Sequence, residues 1–156
     1  MDVNVTEPML TEVTEIVTAV VSGVVAMAEI ADFFDRSFSE LTTTLAEQGR
    51  TATGAAFARY KGLPGETADL EVGFATDQTV THQGNVQPSS LPSCRVATTV
   101  HVGGYDQLGM AWERLGAWIR EQGLTPRDDL WEVYVTKPNP HMDPADLRTE
   151  LFWTTE

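Results

Sequence analysis

Glu47-Gln48-Gly49-Arg50-Thr51 returns as Glu121-Gln122-Gly123-Leu124-Thr125, and a tyrosine follows each threonine at the same interval, Tyr60 and Tyr134. Upstream of each copy an apolar, β-branched run reaches a glycine and then a helical pattern. Downstream of each lies a short run carrying a glutamate, Asp69-Leu70-Glu71-Val72-Gly73-Phe74 and Arg148-Thr149-Glu150-Leu151-Phe152-Trp153. An offset kept through helix end, turn and strand marks a duplicated supersecondary unit, here strand–helix–strand–strand. Two such units must share a sheet or bury their faces on each other, and the seam between them is a natural place for a small ligand. The expected fold class is α+β: a tandem pseudo-twofold duplication with a mostly antiparallel sheet and a central ligand cleft. It is expected to be one domain over residues 1–156, with a first repeat at about 10–76, a connection at 77–93 and a second repeat at about 94–154.

Within the first repeat, Leu10 to Val21 reads as a strand, because its valines, isoleucine and threonines suit a pleated, partly buried surface. Ser22-Gly23 is expected to break it and lead into a helix from about Met27 to Gln48. There Ile30, Phe33, Phe34, Phe38, Leu41 and Leu45 recur at three- and four-residue steps, and Gly49 caps the end. Strands at Ala55–Lys61 and Asp69–Thr76 follow. The second repeat is expected to run as a strand at Val96–Val102, a helix from about Tyr105 to Gln122 capped by Gly123, and strands at Leu130–Lys137 and Arg148–Trp153. A loop starting at Pro138-Asn139-Pro140 joins those last two. The connection is rich in Gln, Asn, Ser, Thr, Gly and Pro and reads as exposed, with room for a short strand.

Composition narrows the function. The 156 residues carry 23 acidic side chains against 10 basic, a net charge of −13. Binding to nucleic acid needs clustered Lys and Arg to displace counterions, so direct contact with DNA or RNA is not expected. The same charge argues against an anionic membrane surface and raises the local concentration of cations. Cys94 is the only cysteine, and His82, His101 and His141 are far apart, so neither a metal site nor a cofactor is expected. The start Met1-Asp2-Val3-Asn4 lacks a basic signal region, and Ile16–Ile30 is too short and too polar for a membrane span, so a cytoplasmic location is expected.

Glu132 is the residue on which chemistry can turn. In Leu130-Trp131-Glu132-Val133-Tyr134-Val135, alternation puts Trp131, Val133 and Val135 on one face and Glu132 with Tyr134 on the other. The apolar face is expected to pack on the helices. The other face either meets water or lines the seam, where a desolvated carboxylate would gain from a cationic guest. Ala58 stands at the position matching Glu132, leaving one wall acidic and the other small. Tyr60 and Tyr134 match each other and can stack on flat ligands or attract cations, and Tyr105 begins a helix near the seam. Trp112, Trp118 and Trp131 read as core residues, while Trp153 could serve either core or site. Glu71 and Glu150 also match, and one of them could approach Glu132, raising the pKa of one carboxyl as a general acid or base requires. The candidate ligand-binding set is therefore Glu132, Tyr134, Tyr60, Tyr105, Ala58, Glu150 and Trp153.

Val100-His101-Val102-Gly103-Gly104-Tyr105, the helix end Trp118-Ile119-Arg120-Glu121-Gln122-Gly123, Trp131-Glu132-Val133-Tyr134 and Arg148-Thr149-Glu150-Leu151 together resemble the gyrase-inhibitor-like effector-binding domain. This is the ligand-sensing half of many AraC- and MerR-type bacterial regulators, and it also occurs alone. The resemblance covers nearly the whole chain. It implies a pseudo-twofold fold with a central cleft, in which the glutamate at the Glu132 position pairs with lipophilic cations among aromatics. Leu108 and Leu147 stand where some drug-sensing relatives carry aromatics, and the helix-turn-helix portion of the regulators has no counterpart in the sequence. The resemblance implies a stand-alone protein binding a small hydrophobic or cationic organic compound. It also admits a hydrolase of electrophilic cyclopropane-bearing toxins, with Glu132 and Tyr134 as its catalytic pair. A third reading is an acidic partner protein that blocks gyrase by mimicking the charge of DNA; a protein partner, gyrase or a regulator, is thus also open.

Overall fold

The computed structural model describes residues 7–136 and 141–155. The duplicated unit appears as β2 (Ile16–Ala26), α1 (Ile30–Gln48), β3 (Ala52–Tyr60) and β4 (Thr67–Thr76), then β6 (Cys94–Val102), α2 (Leu108–Glu121), β7 (Pro126–Tyr134) and β8 (Arg148–Thr155). Each unit is preceded by a short strand, β1 (Met9–Val13) and β5 (Gln87–Leu91). All eight strands form one antiparallel sheet in the order β1-β6-β8-β7-β3-β4-β2-β5.

That order explains the shape. Each leading strand pairs with the opposite unit: β1 with β6, and β5 with β2. Yet only Thr14-Glu15 separates β1 from β2, and only Pro92-Ser93 separates β5 from β6. Connections so short require the two ends of the sheet to approach, so the sheet curls into a half-barrel. One face carries both helices, α1 over β2 and β4, α2 over β6, β7 and β8. The other face closes on itself around Val20, Phe57, Leu91, Val96 and Trp131, with Val13, Val133 and Phe152 packed against them.

Three expectations change. The strand expected at Leu10–Val21 is two strands, split at the polar pair Thr14-Glu15. Ser22-Gly23 does not break β2, because Gly23 pairs with Leu70 and the Phe33 ring fills the place where its side chain would be, 3.0 Å from an added Cβ. The apolar face of β7 does not pack on the helices. Trp131 and Val133 point into the half-barrel, stacked with Phe152 (ring centroids 5.5 Å apart), and the Glu132 face lies under the helices. The helices themselves begin slightly later than expected, after single 3-10 turns at Met27–Glu29 and Tyr105–Gln107. Gly49 and Gly123 end them with φ of 64° and 78°, a backbone only glycine adopts without cost. Lys137 and Pro138-Asn139-Pro140 lie outside the described residues. No helix among the described residues is long and apolar enough to cross a membrane.

Candidate functional site

The two units meet at β3 and β7, where Ala58 pairs with Glu132 and Tyr60 with Leu130. Ala58 and Glu132 are counterparts in the repeat and also direct neighbours across this seam, so the local twofold axis runs between them. A glutamate at both positions would put two like-charged side chains directly opposite each other under the helices, their Cβ atoms roughly 5 Å apart. Ala58, fully buried, avoids that clash.

Glu132 is 5% exposed. Trp112 Nε1 donates to its Oε1 at 3.1 Å, and the Tyr134 hydroxyl donates to its Oε2 at 2.7 Å. Tyr60, buried on the same face, adds a second phenol that feels the charge of Glu132. Every partner of the carboxylate is neutral. Arg59, with its ion pairs to Asp129 at 2.8 Å and Glu71 at 3.3 Å, lies on the other face of the sheet. Burial therefore pushes the Glu132 carboxyl above the ordinary range, opposed only by the hydrogen bonds from Tyr134 and Trp112. Burial first, and the charge of Glu132 second, raise Tyr60, Tyr134 and Tyr105 above the usual phenol value.

Aromatic rings stand over this floor. Tyr134 meets Tyr105 edge-on (5.7 Å) and Phe34 of α1 at 6.2 Å. Phe34 leads on to Phe38 and Phe38 to Phe74, with centroids 6.0 and 5.4 Å apart. Tyr105 is 39% exposed and Phe34, Phe38, Phe74 and Tyr134 are half-buried, so the rings form a path from solvent toward the acid. Two cavities among the described residues, of about 490 and 440 Å³, lie elsewhere, one beside Arg59, Asp128 and Asp129, the other beside Glu40 and Gln83.

The structure thus brings together Glu132, Tyr134, Tyr60, Ala58 and Tyr105. Trp153 stands one layer away. It packs edge-on against Trp112 at 5.7 Å and donates to the Arg127 carbonyl at 2.6 Å, so it supports the Trp112 ring that touches the acid. Glu150 does not join the group. It pairs with Val133, whose side chain points into the half-barrel, and it is Leu151 that lies beside Glu132. Glu71 likewise sits with Arg59 on that other face. Trp112, expected only as core, is the residue sequence reasoning missed. Its counterpart in the first repeat is Phe38, and the pairs Phe38–Phe74 and Trp112–Trp153 make the same edge-on contact. A phenylalanine replaced by a tryptophan at one copy of a repeated core position was the available signal, because only the indole has an N–H to give.

The fold and site together define a pseudo-symmetric α+β domain with an uncompensated acid on its axis, the arrangement of a receptor for small molecules. A family model described as the GyrI-like small molecule binding domain matches residues 6–154, and the chain belongs to that family. The fold is shared with the C-terminal domain of EcmrR, at a TM-score of 0.84 and 21% identity over 96% of this chain and 97% of that one. In the cryo-EM structure of the EcmrR–DNA complex the TM-score is 0.85 at 21% identity, and the match covers 96% of this chain but 57% of the EcmrR chain. SAV2435, solved bound to tetraphenylphosphonium, matches at a TM-score of 0.68 and 11% identity, over 97% of this chain and 94% of that one. A hydrolase encoded by lin2189 from Listeria innocua matches at 0.67 and 12% identity, over 96% and 92%. Comparison with curated proteins returned no match.

Proposed function

We propose that the chain binds a small, hydrophobic organic cation on the axis between its halves, with Glu132 as the counter-charge and Tyr60, Tyr134 and Tyr105 as walls. The observation that carries this reading is the carboxylate buried to 5% exposure with only neutral hydrogen-bond donors around it. Such a charge is costly, and the cost is relieved when a cation enters. The half-exposed rings offer faces to the same cation. Tetraphenylphosphonium, the ligand in the SAV2435 structure, is a lipophilic cation and therefore a fitting probe.

The test is calorimetric titration of the protein and of Glu132→Gln with tetraphenylphosphonium and with neutral triphenylphosphine oxide. The variant is expected to lose at least tenfold in affinity for the cation, about 1.4 kcal/mol, while its affinity for the oxide holds. Equal losses for both compounds would remove the counter-charge role.

A second reading draws on the Tyr134→Glu132 hydrogen bond, which ends on a carboxyl of raised pKa as a general acid or base would require. On this reading the domain hydrolyses electrophilic cyclopropane-type toxins with Glu132 and Tyr134. Incubation with a panel of such compounds separates it from simple binding, since consumption at the buffer rate rules it out.

A further inference from the structure

The two copies of the repeat differ in one systematic way. In the first, the helix-covered face of the sheet carries Ala58, Leu70 and Gly23. Register places their counterparts in the second copy at Glu132, Thr149 and His101: Gly23 pairs with Leu70 across β2 and β4 as His101 pairs with Thr149 across β6 and β8. At these three positions a small or apolar residue of one copy is thus matched by a polar one in the other, while neighbours such as Val72 and Leu151 stay apolar in both. A packing role does not call for this, because the first copy fills the same space with carbon.

Two of these polar groups lack partners. Thr149 is 0% exposed and its Oγ1 makes no hydrogen bond. His101 is 1% exposed, and its Nε2 lies 2.9 Å from the Gly104 carbonyl. A carbonyl can only accept, so Nε2 carries the proton, and Nδ1, which has no partner, presents a lone pair. Leaving such groups unpaired weakens the fold. Both stand in a row with the acid's own donor: Tyr134 pairs with Thr149, and Thr149 with His101. The segment above the row is the Gly103-Gly104 turn, held by His101 and carrying Tyr105 to the Tyr134 ring.

We infer that Thr149 Oγ1 and His101 Nδ1 form a second, hydrogen-bonding end of the ligand site, which takes an O–H or N–H donor of the bound cation. The inference rests on the proposed cation site and narrows its ligand to a cation bearing such a donor. Thr149 lies one strand over and two residues along from Glu132, so charge and donor are separated by about 7–8 Å.

The probes are tetraphenylphosphonium and its analogue with one para-hydroxyl, titrated into the full chain, Thr149→Val and Thr149→Ser. The hydroxylated cation is expected to bind the parent about fivefold tighter than tetraphenylphosphonium, the worth of one buried hydrogen bond. Thr149→Val should reduce that advantage to about onefold and leave tetraphenylphosphonium unaffected, while Thr149→Ser retains it. Tetraphenylphosphonium binding with no gain from the hydroxyl in the parent would overturn the second end and leave the cation site standing. Binding of neither probe would overturn both. Should Thr149→Val fail to fold, the parent's own preference and its persistence in Thr149→Ser still decide.

Discussion

A carboxylate buried among neutral partners should weaken the folded protein, and Glu132→Gln measures by how much. The effective cost of burying one ion is several kcal/mol. Hydrogen bonds to an ionised acceptor return about 1.5–3 kcal/mol each, against about 0.5–1.5 for neutral ones. With the two bonds from Trp112 and Tyr134 the ion recovers part of its cost, leaving a net penalty of about 2 kcal/mol relative to an amide of the same shape. The pH dependence has a definite sign. The carboxyl is raised in the folded protein above its ordinary value of 4.5, so the folded state holds the proton more tightly than the unfolded chain. The stability this contributes is fully present below the unfolded value and is lost as pH rises through the folded one. In urea unfolding, parent and variant should therefore lie close at pH 4, below the unfolded value, and diverge as pH rises toward 8, where the variant is the more stable. The gap there should be about 2 kcal/mol, or about 4–8 °C in Tm for a chain of this size. The surface carboxylates respond to pH alike in both proteins, so the difference isolates Glu132. A pH-independent gap, or a variant less stable than the parent at pH 8, would refute the reasoning.

Two further outcomes follow from the packing. Trp112→Phe keeps a ring against Trp153 but removes a donor from Glu132, so it should cost about 2 kcal/mol at pH 8 and less at pH 4, below the ordinary carboxyl value; an equal loss at both would assign Trp112 to packing alone. Gly73→Ala would put a Cβ 1.9 Å from the Ala19 carbonyl oxygen in the paired strand β2, a clash backbone cannot yield to. Denaturation should show a loss above about 3 kcal/mol or no cooperative unfolding, while the control Gly54→Ala, whose Cβ meets only Ala75 at 3.6 Å, stays within about 1 kcal/mol of the parent.

The repeat was legible because its punctuation is chemical: each helix ends where a glycine takes a left-handed turn, and Glu-Gln-Gly stands at both ends. Alternation along Leu130–Val135 was enough to put Glu132 and Tyr134 together. It could not say which face the helices cover, since a curled sheet buries both, and Trp131 is as deeply enclosed on its side as Glu132 is on the other. The curl comes from β1 and β5 crossing to the opposite unit. That pairing depends on tertiary contacts, and neither Met9–Val13 nor Gln87–Leu91 announces it. Glu150 illustrates the same limit. It shares a repeat position with Glu71, and both lie on the face away from the axis, where one-residue register decides the side. The polar character of His101 and Thr149 emerges only once the strands are aligned and their counterparts prove to be Gly23 and Leu70.

A crystal structure of the complex with tetraphenylphosphonium tests the central claim most directly. The phosphonium should lie against the Glu132 carboxylate, with Tyr134 and Tyr105 rings parted around its phenyl groups and the Trp112 bond retained. A cation lodged instead on the far face, beside Asp128 and Asp129, with Glu132 still sealed beneath its aromatic neighbours, would contradict the account.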